Sequence, residues 1–145
     1  MSIAPIAPDL PLFVYGTLRR GCSNDIAMLV PSSVWLGAAR VCGRLYCVGW
    51  YPHLIIDSSA DWVIGELVDV PAESWKTLDT LEEIVTPTRA DGEYFKRTCT
   101  VRADAGDVQA IIYEGNPAVL RTDELIADGD WAAYAVARGI TRFAR

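Results

Sequence analysis

The sequence predicts an α+β domain in which a curled, mostly antiparallel or mixed sheet forms a small β-barrel beside two or three flanking helices. Three observations lead to this prediction. Roughly six β-prone segments are mostly adjacent along the chain, which favours antiparallel neighbours. The longest of them, VWLGAARVCGRLYCV, contains two glycines, and glycine inside a strand marks a bulge or a sharp bend. A few other segments carry apolar residues at helical spacing.

The amino-terminal part is predicted to contain an arm, a strand and a short helix. The proline-rich residues 1–9 indicate an extended arm, which enters a first strand over residues 10–15. Residues 23–30 follow as a short helix. We expect the Ser23 hydroxyl near its N-cap, and Pro31 to end it.

The central part is predicted to contain three strands and one helix. Three segments are rich in β-formers: residues 34–48, 51–56 and 62–70. In the third, residues 63, 65, 67 and 69 alternate with residues 64, 66, 68 and 70 on two faces, the period of two of a half-buried strand. In residues 71–81 the spacing of the apolar residues changes. A proline stands near the start of this segment and its apolar residues recur at helical spacing, which predicts a helix of about three turns.

The carboxy-terminal part is predicted to contain a loop, a hairpin and a last helix. Pro87 and an Asp-Gly pair mark the loop. Residues 94–101 and 108–113 form the hairpin strands around the connection RADAGD. Residues 124–138 are expected to be helical, with residues 129–131 as an interruption or a cap.

Length and composition favour one soluble domain. The chain has 145 residues, 51% of them hydrophobic, and shows no repeat, low-complexity tract or linker, so residues 1–145 are predicted to form a single domain that includes the arm. The start carries neither a basic region nor a long apolar stretch, and no segment reaches the roughly 18 apolar residues of a membrane span. We therefore expect a cytoplasmic protein without a membrane partner.

Charge argues against nucleic acid as a partner. The formal net charge is −6, whereas binding to a phosphate backbone requires clustered Lys and Arg. The basic pairs Arg19-Arg20 and Lys96-Arg97 are too short to form a basic stripe. We expect both pairs on solvated edges.

The cysteines and the single histidine do not indicate a metal site. Cys22, Cys42, Cys47 and Cys99 show no C-x-x-C spacing, and His53 is the sole histidine. Free cysteines of the core are the simplest interpretation, with a disulfide between two of them left open for an oxidising compartment. His53 follows a proline in a strand-like context and is expected to be a buried structural residue. Serine-type or cysteine-type catalysis therefore lacks a base.

The stretch FVYGTLRRG, residues 13–21, ends an apolar run at Tyr15 and continues through Gly16 into a short basic loop. A strand followed by an ordinary turn accounts for this pattern, because glycine commonly marks turns. The alternative is a loop whose successive backbone N–H groups converge on an anion. The segment lacks both glycine-rich phosphate fingerprints, so the alternative favours a carboxylate or a carbonyl oxygen as ligand.

The segment LDTLEE places three carboxylates on and just after the predicted central helix. Asp79 and Glu82 are three residues apart and share a helix face, while Glu83 points about 100° away from Glu82. One interpretation is a solvated helix end. The other is a general acid/base, because carboxylates at a helix C-terminus oppose the macrodipole and a locally unfavourable choice can mark a functional site.

The chain contains seven short motifs in this order: YGTLRRG, GRLY, YP, GEL, LDTLE, YFKR and GDW. With this ordered set the sequence resembles the γ-glutamylcyclotransferase-like superfamily, especially its small AIG2-like bacterial branch. The resemblance covers residues 13–131. It implies the γ-glutamylcyclotransferase-like fold and an internal aminolysis, in which the α-amine of a γ-glutamyl group attacks its own γ-carbonyl. The products are 5-oxoproline and a free amine or amino acid. The implied partner is a small γ-glutamyl compound, and no metal or cofactor is implied.

The resemblance also assigns site residues. Glu82 matches the glutamate of the LD-x-x-E motif, which is the acid/base of the family. Tyr94, in a Y-x-x-R motif with Arg97, is implied to line the pocket. The strand-end loop is implied to line the cavity and to offer backbone N–H groups to the substrate; it consists of Tyr15, Gly16, Thr17 and Leu18.

Two residues depart from the family pattern. Glu83 stands where the family usually has glycine, and it either shares the role of Glu82 or alters the pocket. His53 follows YP where small residues are common. Two alternatives to an enzyme therefore stay open: a noncatalytic module that binds a small anion, and an interaction domain that uses tryptophans such as Trp35, Trp62 and Trp75. The interaction domain is the least favoured alternative, because these tryptophans stand at positions compatible with a buried core.

Overall fold

Six strands and three helices form the fold over the residues that the structure describes. This computed structural model describes residues 10–22, 24–49, 51–84, 91–120 and 124–139. The strands are β1 (Leu12–Val14), β2 (Val34–Val48), β3 (Tyr51–Ile56), β4 (Trp62–Asp69), β5 (Tyr94–Ala103) and β6 (Gly106–Gly115). The helices are α1 (Ile26–Leu29), α2 (Trp75–Leu81) and α3 (Trp131–Ala137), with 3₁₀ turns at Ala72–Ser74 and Pro117–Val119.

The sheet closes into a five-stranded barrel, which confirms the predicted fold class. Its strand order is β3-β2-β4-β1-β6-β5, and β5 pairs back onto β2 at Ala39 and Arg40. Five of the pairings are antiparallel, whereas β1 and β6 run parallel, so the barrel is mixed. The long strand β2 pairs with β4 through residues 34–42 and with β3 through residues 43–48, so it belongs both to the barrel and to the β2–β3 extension.

Two apolar layers lie on opposite sides of the barrel wall. Because side chains alternate across a strand, Phe13 of β1 packs in the barrel interior, and its neighbours Leu12 and Val14 pack in an outer layer. Trp75 and Leu78 of α2 complete that outer layer. The helix α2 is therefore held against the outside of the barrel at the end of β1.

The first helix is shorter than predicted and has a different cap. The helix α1 begins at Ile26, and the Asp25 carboxylate accepts hydrogen bonds from the backbone N–H groups of Gly21 and Ala27. A carboxylate that satisfies two backbone donors is a strong N-cap. Ser23, the predicted cap, lies outside the described residues, as does the predicted arm over residues 1–9.

The prediction of one helix over residues 124–138 is wrong. The Ile126 N–H donates to the Leu45 carbonyl of β2 at 2.7 Å, so this segment extends the sheet before α3 begins. Asp130 caps α3 by accepting a hydrogen bond from the Ala133 N–H at 3.2 Å. This confirms the prediction of a cap within residues 129–131. Backbone pairing with a distant strand here outweighs the local helical pattern.

The predicted hairpin is confirmed and is longer than expected. The strands β5 and β6 pair from Tyr94 opposite Gly115 to Ala103 opposite Gly106. The predicted central helix begins as the 3₁₀ turn Ala72–Ser74 before α2. Pro87, in the predicted loop, lies outside the described residues. Within the described ranges, no helix has the length and apolar character needed to cross a lipid bilayer.

Candidate active site

One cavity collects every site residue that the sequence predicted. It lies where β1 ends beside the end of α2. Its predicted lining residues are Tyr15, Gly16, Thr17, Leu18, Glu82 and Tyr94. The structure adds Phe13, Val14, Pro52 and Tyr113 to the lining.

The loop after β1 is fixed by hydrogen bonds to the segment that follows it. The Arg19 N–H donates to the Gly16 carbonyl at 3.0 Å and closes a turn. Asn24, which is buried, donates its backbone N–H to the Thr17 carbonyl at 2.8 Å and its side-chain amide to the Thr17 hydroxyl at 3.1 Å. The Asn24 side chain thus holds the loop against α1.

The glycine of the loop is required by a close approach. A Cβ built on Gly16 lies 2.6 Å from Cγ of Pro52, so any larger residue displaces β3 or the loop. In the part of the chain that the structure describes, no protein atom accepts a hydrogen bond from the N–H groups of Gly16, Thr17 or Leu18. We call these three N–H groups the donor side of the cavity.

Arg19 corrects the expectation that both basic pairs are solvated. Its guanidinium donates to Glu66 at 2.7 Å and to Asp130 at 2.8 Å, and its side chain is 11% exposed. Burial alone would lower the pKa of Arg19, but its hydrogen bonds and charge interactions with Glu66 and Asp130 raise that pKa above its ordinary value. The Arg20 backbone N–H binds the other Glu66 oxygen at 2.8 Å. This ion-pair group anchors the back of the loop.

The end of α2 carries Glu82 in a defined helix-ending motif. The Glu83 N–H donates to the Thr80 carbonyl and the Ile84 N–H donates to the Asp79 carbonyl, the bond pattern of a Schellman motif. Glu82 is the C-cap and is 6% exposed. Glu83 has a φ of 51°, the left-handed conformation that glycine usually supplies at this position.

The three carboxylates of LDTLEE have different surroundings. Among the described residues, Glu82 is the one acid that lines the cavity. Asp79 accepts from the Tyr113 hydroxyl at 2.7 Å and from the Lys96 ammonium at 3.2 Å. Glu83 occupies the helix end and not the cavity lining, so the glycine of the family pattern is explained by backbone conformation.

Tyr113 is a lining residue that sequence analysis missed. It lies on β6, and burial raises the pKa of its hydroxyl well above the ordinary value, with further contributions from the charges of Asp79 and Glu82. The hydroxyl therefore stays protonated. Its partner Asp79 is 34 residues away in the chain, so no local pattern signals the pair. We call Glu82 and Tyr113 the acceptor side of the cavity.

Tyr94 lines the cavity, and His53 lies behind it, outside the cavity lining. The Tyr94 hydroxyl donates to the Pro52 carbonyl at 2.9 Å, and its ring centroid lies 4.8 Å from that of His53. His53 is fully buried and pairs through Nε2 with Glu93 at 2.8 Å, as expected for a structural histidine. Arg97 of the Y-x-x-R motif lies outside the cavity lining, where its half-exposed side chain binds Glu114.

Two tryptophans and Lys96 also differ from the sequence predictions, whereas the cysteines agree with them. Trp35 and Trp62 are 48% and 40% exposed, so the prediction of core-compatible positions is wrong for these two residues and holds for the buried Trp75. The Lys96 side chain is 20% exposed and lies over the Trp75 ring, so this residue is not a solvated edge. All four cysteines are free thiols. Burial raises the pKa of Cys22 and of Cys99 to about 11, which keeps both thiols protonated near neutral pH.

Comparison with known proteins places this geometry in a family context. The sequence model of the family described as gamma-glutamyl cyclotransferase, AIG2-like, matches residues 12–133. A Niallia circulans protein named gamma-L-glutamyl-butirosin B gamma-glutamyl cyclotransferase is 32% identical over 125 residues, which cover 85% of this chain and 76% of that protein. A putative gamma-glutamylcyclotransferase of Vibrio cholerae is 30% identical over 120 residues, covering 83% and 93%.

A solved structure supports the fold independently. The crystal structure of an AIG2-like protein from Mus musculus superposes with a TM-score of 0.70 at 23% identity. The match covers 94% of this chain and 95% of the mouse protein. At this level of identity the likeness concerns the fold.

Proposed function

The chain belongs to the AIG2-like family of γ-glutamyl cyclotransferases, and we propose that it converts a small γ-glutamyl amide into 5-oxoproline and a free amine. The observation that carries this proposal is the composition of the cavity. It combines one buried carboxylate, Glu82, with three loop N–H groups that no protein acceptor among the described residues uses.

The proposed reaction is an intramolecular aminolysis. The α-amine of the γ-glutamyl group attacks the γ-carbonyl carbon, so a C–N bond forms within the new five-membered ring. The former amide C–N bond then breaks. Glu82 accepts the proton that the attacking amine loses and returns a proton to the departing nitrogen.

The proposed reaction also requires groups that bind the anionic oxygens of the substrate, and the donor side supplies them. The N–H groups of Gly16, Thr17 and Leu18 bind either the α-carboxylate of the substrate or the oxyanion that develops on the γ-carbonyl oxygen. Both are anionic oxygens, which suits three backbone donors. Tyr15 and Tyr94 are proposed to bound the substrate on either side of this loop.

The proposed mechanism needs neither a cofactor nor an enzyme nucleophile. The substrate carries its own nucleophile, and the contribution of the protein is to hold the amine and the carbonyl in attack geometry. Cys22 and Cys99, with pKa values of about 11, would be poor nucleophiles at neutral pH.

The identity of the leaving amine calls for a panel of substrates. The Niallia relative is named for γ-L-glutamyl-butirosin B, so this compound belongs in the panel with γ-glutamyl dipeptides, simple γ-glutamyl amines and ε-(γ-glutamyl)lysine. Formation of 5-oxoproline is followed by mass spectrometry. The compound with the highest kcat/KM identifies the amine.

Glu82→Gln is the variant that tests the catalytic assignment, and Glu83→Gln is its matched control. We expect Glu82→Gln to lower kcat by about 10² to 10⁴, the usual contribution of a general acid/base. Glu83→Gln is expected to stay within about twofold of the wild type, because it leaves the cavity lining unchanged. Equal turnover by Glu82→Gln and the wild type would contradict the proposed role. Tight binding of the panel without any product would instead indicate the noncatalytic anion-binding module.

A further inference from the structure

Each of the three cavity tyrosines donates its single hydroxyl proton to the protein. Tyr15 donates to the Tyr113 carbonyl at 2.5 Å, Tyr94 to the Pro52 carbonyl at 2.9 Å, and Tyr113 to Oδ1 of Asp79 at 2.7 Å. A tyrosine hydroxyl has one proton and otherwise only accepts hydrogen bonds. With these protons engaged, the tyrosine oxygens can act toward a ligand only as acceptors.

Tyr113 differs from the other two because its acceptor is a charged group held by a cation. The second oxygen of Asp79, Oδ2, lies 3.2 Å from the Lys96 ammonium, which is itself 4.4 Å from the centre of the Trp75 ring. Lys96 and Tyr113 thus engage one oxygen of the Asp79 carboxylate each. Burial and the negative charges of Asp79 and Glu82 keep the proton on Tyr113.

We propose that Tyr113, oriented by Asp79 and Lys96, accepts a hydrogen bond from the α-amine of the substrate and thereby sets the amine beside Glu82. Tyr113 would be a binding residue, and Asp79 a positioning residue that acts through it. The inference rests on the proposed function, because it assigns the acceptor side of the same cavity to the amine and the donor side to the substrate oxygens.

Asp79→Asn tests the positioning role because it should reverse the polarity of Tyr113. Lys96 would retain the amide oxygen of the new side chain, which turns the amide NH₂ toward Tyr113. The amide would then donate to the tyrosine oxygen, and the tyrosine proton would face the ligand. Tyr113→Phe removes the acceptor altogether. Both variants should therefore weaken the binding of an amine and leave the binding of the rest of the ligand unchanged.

The measurement compares two ligands that differ only in the amine, L-glutamine and its des-amino analogue glutaramate. Calorimetric Kd values are obtained for the wild type, Tyr113→Phe and Asp79→Asn, with Tyr134→Phe and Glu73→Gln as matched controls remote from the cavity lining. We expect the wild type to prefer L-glutamine, and both test variants to reduce this preference by roughly tenfold to a hundredfold, the range for a hydrogen bond to a charged group. The controls are expected to keep the wild-type preference.

An unchanged preference in Tyr113→Phe, or no preference in the wild type, would overturn the inference. A loss of preference caused only by misfolding is recognised because glutaramate binding would also be lost. L-glutamine is itself a γ-glutamyl amide, so each titration is checked for 5-oxoproline by mass spectrometry and the Kd values are taken under conditions in which none forms. If no γ-glutamyl compound yields 5-oxoproline while the ratio behaves as expected, the proposed reaction fails and the amine site stands.

Discussion

The donor side of the cavity and Glu82 on its acceptor side are positioned in different ways. The donor loop is held by contacts that are distant in sequence, because Arg19 pairs with Glu66 and Asp130, 47 and 111 residues away. Glu82 is placed by a local motif, the Schellman end of α2. The donor side thus depends on the completed barrel, whereas the position of Glu82 depends mainly on six consecutive residues. Variants on the two sides should therefore differ in how strongly they affect the whole fold.

The largest effect on stability is expected on the donor side, from Arg19→Met. This change keeps the apolar stem but leaves Glu66, which is 7% exposed, without its cation. Removing one partner of a buried ion pair costs about 3–5 kcal/mol of the free energy of unfolding. This loss in the free energy of unfolding is measured by urea denaturation, with tryptophan fluorescence as the signal. Arg20→Met, the exposed neighbour, serves as control and is expected to change stability by less than about 0.5 kcal/mol; equal losses in the two variants would contradict the difference between these neighbours.

A smaller effect on stability, with a clear effect on activity, is expected from Gly16→Ala. The new Cβ would meet Pro52 at 2.6 Å, and overpacking of this kind costs about 1–3 kcal/mol. Because the loop must move to relieve the contact, kcat/KM for 5-oxoproline formation should also fall by about tenfold or more. Wild-type kinetics in Gly16→Ala would show that the close approach does not position the donor groups.

At the end of α2, Glu83→Gly is expected to stabilise the protein. Glycine removes the cost of a left-handed residue at φ 51°, about 1–2 kcal/mol, and loses part of this gain through its larger unfolded-state entropy. A net gain of about 0.5–1 kcal/mol should appear in urea denaturation. Glu83→Ala retains the strained backbone and is the matched control, so a similar gain in both variants would assign the effect to charge.

The smallest effect concerns the thiol behind the donor loop. Burial raises the pKa of Cys22 to about 11, so its thiolate fraction is minute at pH 7 and rises about tenfold for each pH unit until that pKa. Alkylation of Cys22 by iodoacetamide, measured on its peptide by mass spectrometry, should follow this rise. Rapid alkylation at pH 7, comparable to that of a free cysteine peptide, would contradict the raised pKa of this partly buried thiol.

The difference between local and distant contacts also explains what sequence analysis could predict. The strands, the β5–β6 hairpin and the acidic end of α2 depend on local patterns, and those predictions agree with the structure apart from their boundaries. The ion pairs of Arg19 and the hydrogen bond between Tyr113 and Asp79 depend on which strands become neighbours. The segment before α3 was wrongly predicted to be helical for the same reason. Its pairing partner Leu45 lies far away in sequence, so the local pattern did not indicate the pairing.

Glu83 shows how one departure from a sequence pattern becomes interpretable. The sequence left open whether this residue shares the role of Glu82 or alters the pocket. The structure places it at the C′ position of a Schellman motif, outside the cavity lining. The glycine that the family usually has here therefore reports a backbone requirement, and its replacement gives no reason to doubt the cavity.

A crystal structure with bound 5-oxoproline tests the two-sided cavity most directly, because this molecule carries both a carboxylate and a ring N–H. The account predicts either the carboxylate or the lactam carbonyl oxygen within hydrogen-bond distance of the N–H groups of residues 16–18, and the ring N–H directed at the Glu82 carboxylate. A reversed orientation, with the carboxylate beside Glu82 and Tyr113, or binding outside the cavity, would contradict it.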